Sequence, residues 1–178
     1  THAFWNFVER VYEAGVTGGC GGDNYCPNAH TSREQMAVFV LRAEDNTFLP
    51  PACGAPMFVD VPASSPFCRW IEELARRQVV SGCGGGAYCP AAGVTRAQMA
   101  VFALATLEGP GYVPPACGTP MFNDVPVTSP YCAWIEELAR RGIVGGCGGG
   151  GYNCGGSYCP NYCPNDAVTR GQMPIFML

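Results

Sequence analysis

The sequence predicts a mainly α-helical protein, built from tandem two-helix repeats whose Gly- and Pro-rich loops are stapled by disulfides. Three observations lead to this fold class. The chain repeats itself, each repeat has two segments of helical periodicity with helix-start signals, and its 178 residues include 12 cysteines. A unit of about 60 residues buries only a marginal core alone. We therefore expect the units to pack together into one compact or elongated helical array.

Internal repetition divides the chain into three units. Residues 51–88 return at residues 115–152 with 28 identities in 38 aligned positions, and residues 4–39 hold a diverged copy that lacks its front end. Both ends of the chain fall inside a repeated unit, so we expect a processed protein. The predicted units are residues 1–46, residues 47–110, and residues 111–178 with a loop insertion at 151–162.

The first helix of each unit is expected to follow a Ser-Pro pair. In the second unit, Ser65 would cap the helix and Pro66 would take its first position. Trp70 then begins an apolar stripe at helical spacing, so we expect it to pack in the core. The acidic pair Glu72 and Glu73 is expected to lie largely on the outer face.

The ends of these helices and the starts of the second helices also carry signals. Gly15 and Gly142 are expected just past a helix end in a left-handed conformation, where the second unit has Gln78. A capping box of the S/T-x-x-Q type opens each second helix, followed by a methionine that is expected to fill the core. The boxes are Ser32 with Gln35, Thr95 with Gln98, and Thr169 with Gln172.

Twelve cysteines indicate an oxidising compartment and six disulfides. Two pairings follow from cysteines that occur or are lost together, and two from pairs around a glycine loop. In the third unit four cysteines allow three connectivities, of which a nested arrangement is favoured. The favoured pairs are Cys53–Cys68, Cys117–Cys132, Cys20–Cys26, Cys83–Cys89, Cys147–Cys163 and Cys154–Cys159. Zinc is disfavoured, because the Cys-x5-Cys spacing and two scattered histidines do not match a zinc site.

Several classes of function are disfavoured by composition and motifs. The net charge is −4 with 10 basic residues, which does not suit phosphate backbones. Long apolar segments that would cross a membrane are absent. Glu72 and Glu73 are neighbours on one helix, so they do not face each other across a cleft as an acid/base pair. No nucleophile triad or phosphate-binding loop occurs. We therefore expect neither an enzyme nor a cofactor.

The units resemble the S-layer homology family. The resemblance rests on three ordered units with an F-x-D opening (Phe58 to Asp60), an aromatic-led helix, a Gly-rich turn and a T-R-x-[EQ] helix start; the first unit lacks F-x-D and reads Thr31-Ser32-Arg33 at its helix start. It implies a mostly helical pseudo-threefold bundle and a module that attaches proteins non-covalently to bacterial envelope polysaccharide. The glycan-facing residues that it implies are Arg33, Arg96, Arg170, Asp60, Asp124, Gly19, Gly82 and Gly146.

Other interpretations of these residues stay open. The arginines of the T-R motif (hereafter the T-R arginines) are expected either to hold a carboxylate bidentately or to bond to a neighbouring loop carbonyl or an F-x-D aspartate. Exposed tyrosines beside the Cys-Pro turns are expected either to stack on sugars or to cover a loop. The alternative to anchoring is a structural subunit that assembles with copies of itself into an extracellular layer, tube or filament. The tyrosines concerned are Tyr25, Tyr88, Tyr152, Tyr158 and Tyr162.

Overall fold

The computed structural model describes residues 4–177. Over this range the chain forms short helices and one two-stranded antiparallel sheet, with helices accounting for 33% of the residues. The elements in order are α1 (Trp5–Glu13), α2 (Arg33–Glu44), α3 (Cys68–Arg76), α4 (Arg96–Glu108), α5 (Cys132–Arg140), β1 (Gly148–Cys154), β2 (Ser157–Asn161) and α6 (Met173–Met177).

The prediction of a mainly α-helical bundle is therefore wrong, since the fold is mixed. Two physical causes account for the difference. The 24 glycines and 16 prolines are concentrated between the helices, and both residue types disfavour helix interiors. The insertion in the third unit pairs with itself as an antiparallel hairpin, in which Gly151 lies opposite Cys159 and Cys154 opposite Ser157.

The Ser-Pro pairs lie before the helices and not at their first turn. Helix α3 begins at Cys68 after Phe67, with no side-chain cap. Ser65 instead closes the preceding turn, where its hydroxyl oxygen accepts from the Phe67 amide at 3.2 Å and its carbonyl accepts from the Cys68 amide. Pro66 thus belongs to this turn, and the prediction of the helix start was two residues early.

The expectation that Glu72 lies on the outer face is also wrong. Glu72 is buried, and its carboxylate accepts the Met57 amide at 3.0 Å. Glu136 in the third unit is buried in the same way under Met121. Periodicity did not show this burial, because the Pro-rich linker folds back over the helix.

The helix-end signals correspond well to the structure. Gly15 and Gly142 follow their helices with φ of +71° each, and Gln78 takes the same left-handed conformation with φ of +58°. Full capping boxes form at Ser32 and Thr95. At the third box, the side-chain carbonyl of Gln172 accepts the Thr169 amide.

One contiguous core includes the three methionines that follow the capping boxes. Helices α2, α4 and α6 contact one another in pairs, while α3 packs on α2, α5 on α4 and α1 on α6. The methionines are fully buried, as predicted, and Trp70 is buried beside them. The core residues named are Met36, Met99 and Met173.

At the centre of the molecule the three loops that precede the second helices form a closed ring of backbone hydrogen bonds. The Thr31 amide donates to the Val168 carbonyl at 2.9 Å, the Val168 amide to Val94 at 2.8 Å, and the Val94 amide to Thr31 at 3.0 Å. All three residues are fully buried. Because each unit donates to the next around the ring, the chain closes on itself and brings distant units into contact.

Six disulfides hold the loops, and no free cysteine occurs in residues 4–177. Their pairs are the same as those favoured from the comparison of the units. The bridges close segments with sequence separations of 5 to 16 residues, so each acts within one unit. Cross-links of this length restrict the unfolded chain locally. Contacts between units depend instead on hydrogen bonds and packing.

Candidate functional site

The T-R arginine of the first unit is held in a mutual contact with a tyrosine of the second. The Arg33 Nε donates to the Tyr88 carbonyl at 2.9 Å, and the Tyr88 hydroxyl donates to the Arg33 carbonyl at 3.0 Å. The guanidinium carbon lies 4.5 Å from the centre of the tyrosine ring, within the range of a cation–π contact. These two hydrogen bonds fix the loop that contains Tyr88 against the start of helix α2.

The same reciprocal pair occurs between the other units. Arg96 Nε donates to the Tyr162 carbonyl at 2.8 Å, and the Tyr162 hydroxyl returns a bond to the Arg96 carbonyl at 3.1 Å. Arg170 Nε donates to the Tyr25 carbonyl at 3.0 Å, and the Tyr25 hydroxyl donates to the Arg170 carbonyl at 2.7 Å. The three Arg–Tyr pairs therefore connect each unit to the next and join the last unit to the first.

The F-x-D aspartates support the tyrosines and do not pair with the arginines. The Asp60 carboxylate accepts the Tyr88 and Cys89 amides at 2.7 Å each, and these bonds, led by that of Tyr88, lower the pKa of Asp60. Asp124 accepts the corresponding amides in the third unit at 2.6 and 2.8 Å. Among the ion pairs within residues 4–177, none joins a T-R arginine to Asp60 or Asp124.

Three of the tyrosines considered for sugar stacking belong to these contacts. Tyr88 and Tyr162 are fully buried and Tyr25 is half-buried, so the expectation of exposure is wrong for them. Burial raises the pKa of each of the three to about 12, because removing the phenolate from water disfavours ionisation. Only Tyr152 and Tyr158 among the five are well exposed.

The predicted glycines lie where the Gly-rich loop folds back on itself. Gly82 has φ of +88°, and a Cβ there would lie 2.5 Å from the Ala87 carbonyl oxygen. Gly19 has the same close approach in the first unit. A Cβ on Gly146 would lie 2.7 Å from the Cβ of Pro160. Loop closure alone therefore explains why glycine occupies these positions.

The three T-R arginines differ in accessibility. Arg33 and Arg170 are 6% and 5% exposed, while Arg96 is half-buried. Arg96 lines a groove of about 500 Å³ that also includes Gly146, Asp166 and Thr169. Of the predicted glycan-facing residues, Arg96 and Gly146 are therefore brought together in one open groove, whereas Arg33 and Arg170 are closed off.

The polar groups of this groove match a ligand rich in hydroxyls. Arg96 uses Nε on Tyr162 and one terminal nitrogen on the Gly145 carbonyl at 3.2 Å. Within residues 4–177 its second terminal nitrogen makes no hydrogen bond to protein. A guanidinium has five N–H donors, so donors remain for a ligand carboxylate or hydroxyl. Asp166 also lines the groove, and a carboxylate is a hydrogen-bond acceptor.

Sequence reasoning missed Asp166 and the apolar wall formed by Phe4, Ile175 and Phe176. Asp166 stands where the second unit has Ala92, and the apolar residues come from helical segments of the first and third units that were expected only to pack in the core. The groove arises only when the ring of loops closes, so local patterns carried no signal for it.

In the described chain, the cysteines that come close enough to bind a metal together are already joined in disulfides. Two clusters place two cysteine sulfurs and a glutamate oxygen close together, namely Cys53 and Cys68 with Glu72, and Cys117 and Cys132 with Glu136. In both clusters the sulfurs form a disulfide, and a disulfide sulfur is not the thiolate that metals bind. These clusters are therefore structural.

Comparison with known proteins finds a partial match to one family model. The model of the S-layer homology domain matches residues 1–37 and 58–100. The chain is 29% identical over 111 residues to an amylopullulanase of Thermoanaerobacterium thermosulfurigenes, which covers 61% of this chain and 6% of that enzyme. The matched segments cover less than half of the chain and none of the third unit, so membership of the family stays a prediction. Among the described residues, no helix has the length and apolar character needed to cross a membrane.

Proposed function

We propose that this chain, two segments of which match the S-layer homology domain, is a non-catalytic extracellular module that attaches a protein to the bacterial cell envelope by binding wall polysaccharide. The observation that carries the proposal is the groove at Arg96, where an incompletely bonded guanidinium lies beside Asp166. Donor and acceptor together suit sugar hydroxyls, and the planar guanidinium also suits an acidic sugar substituent. The disulfides agree with a location outside the cytoplasm.

The charged residues of the predicted glycan-facing set have different roles in this proposal. Arg96 would contact the glycan directly at the open groove. Arg33 and Arg170 would hold the units together through buried bonds to tyrosine carbonyls. Asp60 and Asp124 would act indirectly, by fixing the Tyr88 loop that Arg33 binds and the Tyr162 loop that Arg96 binds.

Sedimentation of the purified protein with bacterial wall sacculi tests this function. We expect the protein to pellet with the sacculi as a monomer, and the variant Arg96→Ala to remain in the supernatant. Failure of the unaltered protein to pellet would refute anchoring. Pelleting of Arg96→Ala to the same extent would refute the assignment of the groove.

Arg33→Ala is the matched control. Arg33 makes the same bonds to a tyrosine as Arg96 does, yet it is buried. Loss of a hydrogen bond from a charged group costs about 1.5–3 kcal/mol, so both variants should lose stability and should be compared where both are folded. If both variants lose binding to sacculi equally, Arg96 has only a structural role and does not contact the glycan.

A second candidate function is self-assembly into an extracellular layer, tube or filament. It is favoured by apolar residues in and beside the Pro-rich linkers, since Val59 is 82% exposed and Val113 is 81% exposed. Electron microscopy of the purified protein without glycan tests it. Polymers that form spontaneously, together with no binding to sacculi, would favour assembly over anchoring.

A further inference from the structure

The β-hairpin of strands β1 and β2 has no counterpart in the first two units. It follows directly from Gly145, Gly146 and Cys147, which form one wall of the Arg96 groove. The hairpin is closed by a disulfide between Cys154 and Cys159. The first residue of the hairpin, Gly148, thus follows a residue of the groove wall directly in the chain.

Two tyrosines of the hairpin project from it and are largely solvent-exposed. Tyr152 is 70% exposed and Tyr158 is 62% exposed. Their ring centres lie 5.7 Å apart with the planes at 75°, and the Tyr158 hydroxyl donates to the Gly149 carbonyl at 3.2 Å. The two rings thus form an aromatic corner that is held in place and open to solvent. Tyr88 and Tyr162, in contrast, are buried within the protein.

The hairpin is fastened to the body of the protein through Asn123. The Asn123 amide donates to the Pro160 carbonyl at 2.9 Å, and its side chain donates to the Asn161 side-chain oxygen at 2.9 Å. Asn153 donates from its side chain to the Asn123 carbonyl at 3.1 Å. Together with the disulfide, these bonds fix the tyrosines before any ligand arrives, which lowers the entropic cost of binding.

The chemistry of the hairpin indicates the class of ligand. Residues 148–161 contain no charged side chain, so the segment is unsuited to phosphates or to an acidic or basic peptide. It offers aromatic faces and side-chain amides. The C–H face of a sugar ring is apolar and packs on aromatic faces, while its hydroxyls bond to amides.

We propose that Tyr152 and Tyr158 form a sugar-stacking site for neutral residues of a glycan, separate from the Arg96 groove. The identity of that glycan as wall polysaccharide rests on the proposed function. In this arrangement the groove binds a polar or acidic part of the chain, and the hairpin binds a neutral sugar further along.

Salt distinguishes the two sites in the sedimentation experiment with sacculi. Raising the salt from about 0.1 M to about 1 M shortens the screening length from roughly 10 Å to 3 Å, which weakens charge contacts at Arg96 and leaves stacking in place. The double variant Tyr152→Ala/Tyr158→Ala should bind sacculi roughly ten- to a hundredfold more weakly at high salt. Tyr12→Ala is the matched control, because Tyr12 is 59% exposed on helix α1.

A second readout is independent of the wall. Spectra of the protein labelled with ¹³C at the tyrosine rings should show shifts of the Tyr152 and Tyr158 signals, and not of Tyr12, when chitotetraose or maltotetraose is added. If the unaltered protein does not pellet with sacculi, the proposed function is wrong, and the hairpin proposal is then decided by these spectra. Absence of shifts with both sugars would overturn it.

Two further outcomes would also overturn the stacking site. The first is a double variant that pellets at high salt as well as the Tyr12→Ala control does. The second is a double variant that keeps full binding to sacculi but loses self-association in sedimentation velocity, which would make the hairpin a contact between copies of the chain.

Discussion

Replacing Gln78 with glycine should stabilise the protein. Gln78 follows helix α3 with φ of +58°, a conformation that non-glycine residues disfavour. Its amide donates to the Ala75 carbonyl, and the Val79 amide donates to the Leu74 carbonyl, which together form a Schellman motif. The side chain of Gln78 is exposed, so the substitution removes no packing.

The magnitude follows from two opposing effects. The left-handed conformation costs a residue with a Cβ about 1–2 kcal/mol. Glycine also lowers the free energy of unfolding by about 0.4–1 kcal/mol, because it gives the unfolded chain more conformational freedom. The net gain is about 0.5–1 kcal/mol, which for a protein of this size raises Tm by roughly 1–4 °C.

Unfolding by heat and by guanidinium chloride, with the disulfides intact, would measure this gain in the free energy of unfolding. Gly142→Gln is the reverse change at the matching position, where glycine has φ of +71° and the same two hydrogen bonds form. It should lower stability by a similar amount. A neutral or destabilising Gln78→Gly, with no loss in Gly142→Gln, would refute the view that backbone strain dominates at this position.

Three further predictions concern the loops. Because amide bonds lower the pKa of Asp60, its contribution to stability should be full above about pH 4 and lost as the pH falls through the lowered value. Urea unfolding should show a smaller acid loss in Asp60→Asn than in the unaltered protein. Tyr88 has its pKa raised to about 12, so its contribution is full below about pH 10 and lost as the pH rises through about 12. Its phenolate absorbance should appear together with loss of circular dichroism, and ionisation of a folded protein would contradict this. Peptide mapping without reduction should recover Cys154 joined to Cys159, and any other partner would contradict the nested pairing.

Short-range features were readable from the sequence because their partners lie close along the chain. The capping box of Thr95 and Gln98 spans three residues, and the glycine loop of Cys83 and Cys89 spans six. The repeated units also indicated which cysteines pair, because two cysteines that are kept or lost together in each unit are expected to be in contact.

Features decided by long-range packing were not readable. Helical periodicity placed Glu72 outside, but the returning linker buries it. Tyr88 beside a Cys-Pro turn was expected to be exposed, yet it is enclosed by Arg33, which lies 55 residues earlier. Both errors have one cause, which is that burial depends on what another segment brings to the surface of an element.

The sequence by itself determined the repeat, the helix ends, the favoured disulfide pairs and the set of arginines to consider. Only the tertiary structure decided which of those arginines is accessible to a ligand. Arg33, Arg96 and Arg170 stand in equivalent motifs, and closure of the ring of loops buries two and leaves Arg96 beside a groove. The physical reason is that each guanidinium is bound by residues of a neighbouring unit, so equivalent local motifs acquire different surroundings.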